Sequence, residues 1–373
     1  MNTDIRQDQV SAAHVMVVGC GALGNEVLKN LVLMGVIHIV VVDFDIVEMG
    51  NLTRSVLFSK SDAERKRLKV EVVVERLKQM NADVEVTAIC GDIAYDVGLG
   101  LVRQMDVVIG CVDSRWARFC INRLCMRAGI PWVDGGIDGL EGTVRVFAPG
   151  KNCYACNLGP EGLKDLRRRM PCQGIIRRQE LAGSAPTTSI IASIIGAIEV
   201  QEALKLIQED FGTSLCGKML YYDGEHTTVR IAGYQAYDDE CPEHELWAPV
   251  RQTKVSDSTS VGEALLCWTQ ELNAQNVTLS LVNDCFVDYV LRRDNDERVP
   301  MMVPGRSVAD KVACEKTLIG QPLSALYQHE YRHIDASFAY ASLTLAQLGI
   351  PQHDIVYVSA DGEVFYIELK SGK

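Results

Sequence analysis

The chain has 373 residues, 47% hydrophobic and 23% charged, with a formal net charge of -12. That length predicts two or three domains with a sizeable core, and the acidic balance excludes a nucleic-acid surface, which needs concentrated Lys and Arg. No uninterrupted apolar run reaches the ~18 residues of a membrane span; the longest candidate, 190–207, is broken by Ser193, Gly196, Glu199 and Glu202. The first residues carry no basic-then-apolar leader, so a cytoplasmic protein is expected. Its 13 cysteines, scattered without a secretion signal, predict buried, metal-bound or catalytic thiols over disulfides.

In chain order, the apolar run 15–18 predicts a strand ended by Gly19, and Leu23, Val27, Leu28 and Leu31 then recur at helical spacing. A second strand is predicted at 36–42, a helix at 69–80, and further strands at 84–89 and 107–109. Strands alternating with helices predict βαβ units and a Rossmann-like, doubly wound, mainly parallel α/β sheet. Beyond Pro186, 187–207 reads as a long apolar helix, with the proline where a missing N–H costs little. Composition turns polar over 248–262, through Ser256, Asp257, Ser258, Thr259 and Ser260, which places a domain boundary there. The expected domains are 1–248 and a smaller α+β domain at 262–373. The second is expected to finish in a hairpin, 355–358 and 364–369, around the turn Asp361-Gly362.

Gly19-Cys20-Gly21-Ala22-Leu23-Gly24 falls between the first strand and the first helix. Glycines allow a tight turn, and the helix N-terminus offers free N–H groups to a phosphate. Asp43, ending the second strand, is placed for a ribose hydroxyl. A dehydrogenase shares these features. The next residues are Asp45, Asn51, Arg54 and Lys69, and Asp113, Arg115, Arg118 and Asn122 follow the strand 107–109; a dehydrogenase has no evident use for an Asn, an Arg, a Lys and an Asp converging on the phosphate end. Adenylation does: attack of a carboxylate on an α-phosphorus gathers negative charge, which Arg, Lys and a carboxylate-held Mg²⁺ stabilise.

Here the sequence resembles the ThiF/MoeB and ubiquitin-activating enzyme family. The resemblance rests on Val17 through Gly24, Val42 through Glu48, Asn51-Leu52-Thr53-Arg54, Lys69, Cys111-Val112-Asp113, Gly142 through Gly150, Cys153-Tyr154-Ala155-Cys156 and the helix ending at Leu206. It spans roughly 10–245 in the family's order and spacing. It implies Asp43 on ribose, Asn51, Arg54 and Lys69 on the ATP phosphates, and Asp113 on Mg²⁺. Family members often carry an arginine in a longer N-terminal helix that reaches the partner subunit's ATP; Arg6 matches it poorly.

Cys153-x-x-Cys156 and Cys241-Pro242-Glu243-His244 are two paired-ligand knuckles. Three thiolates and one imidazole suit a closed, structural, tetrahedral Zn²⁺; the family more often has a fourth cysteine where His244 stands. Between the first knuckle and the long helix, Arg167, Arg168, Arg169, Arg177 and Arg178 surround Cys172. Neighbouring cations favour thiolate over thiol, which makes Cys172 the candidate nucleophile, with Cys216 second. In the resembled enzymes a loop in this region carries the thioester cysteine.

His329-Glu330-Tyr331-Arg332-His333 spells a zincin pair, which a helix would place on one face. No third ligand follows at a usual spacing, and in a chain with 7 histidines a chance match is expected. The resemblance implies ATP-dependent activation of a ubiquitin-like protein by a homodimer, followed by thioester formation and handover to a conjugating enzyme, with the C-terminal domain recruiting one of these partners. Sulfur-carrier activation for cofactor synthesis shares the first step, and a non-catalytic binding partner is the third reading. Bacterial relatives of this machinery in antiviral defence extend the same expectation.

Overall fold

A computed structural model describes residues 5–168, 187–233, 237–292, 295–315, 318 and 326–371. The chain forms two compact units. The first takes in Met1–Ala94, Val102–Leu163 and Ser184–Leu246; the second includes Tyr95–Leu101 and Trp247–Lys373. Among the described residues no helix is long and apolar enough to cross a membrane.

The first unit is built on an eight-stranded sheet. Its strands are β1 (His14–Val18), β2 (His38–Val42), β3 (Glu85–Ile89), β4 (Val107–Gly110), β5 (Trp132–Asp138), β6 (Glu141–Phe147), β7 (Lys218–Asp223) and β8 (Thr228–Gly233). The order is β3-β2-β1-β4-β5-β6-β7-β8, parallel as far as β5 and antiparallel from there to β8. Val15, Val17, Val41, Val107 and Ile109 are wholly or nearly wholly buried, as expected of parallel strands covered on both faces. Chain order reverses between β1 and β4, which opens a crevice at their C-terminal ends.

The helix Ala22–Leu33 buries Leu23, Val27, Leu28 and Leu31, and the helix Lys69–Met80 buries Val70, Val72, Val73 and Leu77. The helix Ser189–Ile207 packs on the first of these at Gly196, where an added Cβ would stand 3.0 Å from Glu26 Cβ. Glycine there permits the close approach.

The second unit holds a five-stranded sheet and a three-stranded one. The larger combines β9 (Val250–Ser256), β10 (Val277–Ser280), β14 (His333–Ile334), β15 (Ile355–Ala360) and β16 (Glu363–Lys370) in the order β14-β10-β15-β16-β9. β15 and β16 form the expected hairpin, and Asp361 and Gly362 take φ of 49° and 92°, as a primed two-residue turn requires. The smaller sheet is β12 (Arg298–Pro304), β11 (Phe286–Arg292) and β13 (Leu326–Tyr331), with β11 central.

The polar stretch 248–262 contains β9, which pairs in parallel with β16. Its polar residues cap the helix Val261–Leu272, where Ser260 Oγ accepts from Glu263 N at 3.3 Å and Glu263 Oε2 accepts from Ser260 N at 3.3 Å. The zincin spelling is not helical: His329 lies on β13 and His333 on β14. Their rings have separate partners, Asp288 Oδ1 at 2.9 Å and Ser280 Oγ at 3.1 Å.

Candidate functional site

The glycine loop leaves β1 with Gly19 at φ +98°, in the left-handed region, and an added Cβ there would meet the Cys111 carbonyl oxygen at 2.5 Å. At Gly24 it would meet the Gly19 carbonyl oxygen at 1.9 Å. Only glycine fits either position. Gly21 has nothing within 4 Å of the corresponding point and caps the helix Ala22–Leu33, whose first-turn amides have no intrahelical acceptor and suit an anion.

Asp43 closes the loop from the side. Its Oδ2 accepts from Cys20 N at 2.6 Å and its Oδ1 from Asp45 N at 2.7 Å. Burial pushes its carboxyl above the ordinary value, with Lys69 acting in the opposite direction. Lys69, itself buried, pairs with Asp45 Oδ2 at 2.8 Å. Burial lowers its pKa, but Asp43 and then Asp45 outweigh that and leave it raised, so the ammonium stays charged at neutral pH.

Asn51 ends the short turn Met49–Asn51, where its Oδ1 accepts from Glu48 N at 2.9 Å. Arg54 follows, with its N–H bonded to the Asn51 carbonyl at 3.1 Å. Asp113 lies exposed just beyond β4, before the helix Arg115–Ala128, which Ser114 caps by accepting from Ala117 N at 2.9 Å. Among the described residues, neither the Arg54 guanidinium nor the Asp113 carboxylate has a hydrogen-bonding or ionic partner. A free carboxylate at the mouth of the crevice suits Mg²⁺, which takes one or two carboxylates and keeps several waters.

Sequence reasoning missed Asn25, which is wholly buried. Its Nδ2 donates to the Cys20 carbonyl at 2.7 Å and its Oδ1 accepts from Leu57 N at 2.8 Å. It thereby ties the glycine loop to the segment carrying Asn51 and Arg54. An Asn in the first helical turn, one residue past the glycines, was the available signal. Asn122 is buried, and its Oδ1 accepts from Tyr154 N at 2.8 Å inside the first knuckle. Arg6 bonds through its N–H to Gln208 Oε1 at 2.9 Å and through its guanidinium to the Gln208 carbonyl, so it caps the end of the long helix.

Cys153, Cys156, Cys241 and His244 come together with their ligand atoms within 4.8 Å of one another. Cys153 Sγ lies 3.7 Å from Cys156 Sγ and 3.8 Å from Cys241 Sγ, and His244 Nε2 lies 3.2 Å from Cys156 Sγ. A tetrahedral ion with metal–sulfur bonds of ~2.3 Å separates its sulfurs by ~3.8 Å, so the donor set fits zinc. Burial lowers the His244 pKa, which favours the neutral imidazole that a metal needs. Arg123 anchors the second knuckle through two 2.9 Å bonds to Glu243.

Cys172 lies outside the described residues. Cys216, the second candidate, is half-buried and bridges to Val146, and burial raises its thiol, which is the wrong direction for a nucleophile.

Residues 3–243 match the ThiF family. The chain is 30% identical over 236 residues to the SAMP-activating enzyme E1 of Haloferax volcanii, covering 63% of this chain and 82% of that protein. It is 29% identical over 279 residues to the Mus musculus adenylyltransferase and sulfurtransferase MOCS3, covering 67% and 57%. It is 29% identical over 226 residues to the molybdopterin-synthase adenylyltransferase of Haemophilus influenzae, covering 60% and 86%. The crystal structure of E. coli MccB with ATP superposes with a TM-score of 0.52 at 22% identity, over 64% of this chain and 68% of that one, a likeness of fold. With the glycine loop and its surrounding residues in the family's order, and the match running through nearly all of the first unit, the chain belongs to the ThiF family.

Proposed function

We propose that the chain adenylates the C-terminal carboxylate of a ubiquitin-like protein. The observation that carries this reading is the meeting of the glycine loop, Asp43, Lys69 and Asp113 around the C-terminal ends of β1, β2 and β4. The carboxylate oxygen attacks the α-phosphorus of ATP, the α–β anhydride bond breaks, and pyrophosphate leaves with the electron pair. First-turn amides beyond Gly21 receive phosphate oxygens, Asp43 takes a ribose hydroxyl, and Asn51, Arg54 and Lys69 meet the charge that grows on the phosphates. Asp113 holds Mg²⁺, which when bound screens the same charge. The Cys153, Cys156, Cys241 and His244 site holds a structural zinc.

In the second step the Cys172 thiolate attacks the acyl carbon of the adenylate, AMP leaves, and a thioester forms for transfer to a conjugating enzyme. The enzyme acts as a homodimer, and the C-terminal unit receives a protein partner. The sulfurtransferase and molybdopterin-synthase relatives favour a second reading, adenylation of a sulfur-carrier protein, in which a sulfur donor consumes the adenylate.

ATP–pyrophosphate exchange with candidate ubiquitin-like and sulfur-carrier proteins tests both. Exchange is expected to fall by about 10²-fold or more in Asp113→Ala and to survive in Cys172→Ala, with a DTT-sensitive adduct in wild type alone. Exchange without an adduct moves the assignment to sulfur transfer. Nucleotide binding without exchange, for every candidate, would make the chain a non-catalytic partner.

A further inference from the structure

Behind Asp113 lies a buried charge cluster that the proposed reaction does not use. Asp134, on β5, is fully buried. Its Oδ1 accepts from Arg118 Nε at 2.8 Å, and Arg145, its cross-strand neighbour on β6, pairs with its Oδ2. Arg118 also donates to two carbonyl oxygens, that of Gly135 at 3.0 Å and, with a longer contact, that of Asp113 at 3.5 Å. One guanidinium therefore joins a carboxylate locked in the sheet to the backbone of the loop that presents Asp113.

Ion pairs this deep gain little stability over apolar packing, because desolvating the charges offsets their attraction. What Arg118 adds is geometry: a planar fork holds several acceptors at fixed angles, which a lysine cannot do. The loop is held on its other side too. Cys111 N donates to the Val18 carbonyl at 2.8 Å, and the Cys111 carbonyl packs where Gly19 leaves room for it. Residues 111–113 thus run between the glycine loop and the Arg118 guanidinium.

We propose that Arg118 and Asp134 are positioning residues of the nucleotide site. Asp134 fixes the guanidinium, the guanidinium fixes the Asp113 carbonyl, and the exposed Asp113 carboxylate is presented in one place. The proposal rests on reading Asp113 as the Mg²⁺-side carboxylate.

The test is equilibrium binding of a fluorescent ATP analogue to the full chain at graded Mg²⁺, for wild type, Arg118→Lys, Asp134→Asn and Asp113→Ala. Lysine can reach Asp134 or a carbonyl but not all three partners, while Asn keeps the shape of Asp134 and an acceptor for Arg118. In Arg118→Lys the Mg²⁺ concentration giving half of the affinity gain should rise about tenfold, the scale on which supporting contacts act on metal sites. Affinity without Mg²⁺ should stay within about twofold of wild type on the same argument. Asp134→Asn should move the same way by less, and serves alone if Arg118→Lys does not fold. Asp113→Ala should lose the Mg²⁺ gain. Wild-type Mg²⁺ dependence in both positioning variants, with the gain lost in Asp113→Ala, overturns the proposal and leaves the Asp113 reading standing. Affinity lowered equally with and without Mg²⁺ marks a merely structural role and also overturns it. A Mg²⁺ gain retained in Asp113→Ala overturns the reading itself.

Discussion

Glu199 is the residue whose chemistry fits its surroundings least. It lies in the otherwise apolar part of the helix Ser189–Ile207 and is fully buried, against β5 at Gly135, where an added Cβ would stand 2.4 Å from its carboxyl carbon. Burial raises its pKa well above the ordinary 4.5, Asp134 adds to this, and Arg118 and the Gly135 backbone act the other way. A carboxyl that binds its proton more tightly folded than unfolded stabilises the fold in acid. That contribution is lost as pH climbs from the unfolded value through the folded one. Glu199→Gln keeps the volume and removes the titration. We expect the variant to be the more stable at pH 8, with its advantage growing from pH 5 by up to ~1.4 kcal/mol per pH unit within the window. Thermal unfolding of both proteins across that range decides it: parallel curves mean that Glu199 is already ionised in the fold.

The helix Arg115–Ala128 is the element that joins the two candidate centres. It begins directly after Asp113 and Ser114, and its consecutive residues Asn122 and Arg123 grip one metal knuckle each. Arg123 also stacks over Phe119, with 4.7 Å from guanidinium carbon to ring centre. Truncating Arg123 to Ala removes both of its charge-assisted bonds to the buried Glu243 carboxylate, a loss of ~3–5 kcal/mol. Arg123→Met combined with Glu243→Leu should recover most of it. Urea unfolding measures the loss, and metal content by mass spectrometry should fall with the single variant and not the double. If the single variant unfolds like wild type, the pair does not anchor the knuckle. Little of this pairing was legible in the sequence. The knuckles were, because Cys-x-x-Cys spacing alone points two sulfurs at one ion; their partners on the helix were not, because an Asn or Arg carries no mark of the face it will occupy. The parallel strands β1, β2 and β4 were readable as short apolar runs between helices. β5 and β8 were not: β5 includes Asp134-Gly135-Gly136, which reads as a turn, and every residue of β8 is exposed, leaving no apolar alternation to detect.

For the whole molecule, the two compact units do not divide at a single point in the chain. Between β3 and β4 the chain leaves the first unit, contributes Tyr95–Leu101 to the second, and returns. Within the second unit Tyr95, Val97 and Leu99 are buried. Leu99 N donates to Asp354 Oδ1 at 2.9 Å and Gly100 N to the His353 carbonyl at 2.8 Å. Arg306 Nη2 binds Asp96 at 3.2 Å, and its guanidinium carbon lies 5.2 Å from the centre of the Tyr95 ring. A protein cut after residue 248 would keep every residue assigned to nucleotide and metal, yet it would present this segment to water with two amides and three apolar side chains deprived of their partners. Burying such side chains is worth roughly 1.5–3 kcal/mol each, and exposed apolar segments drive association. We therefore expect the simple truncation to aggregate on size-exclusion chromatography. The same truncation with 95–101 replaced by a short Gly/Ser loop should elute as a single defined species and bind ATP. If the simple truncation behaves as well as the loop-replaced one, the segment is dispensable to the second unit, and 1–248 stands as an independent domain as it is.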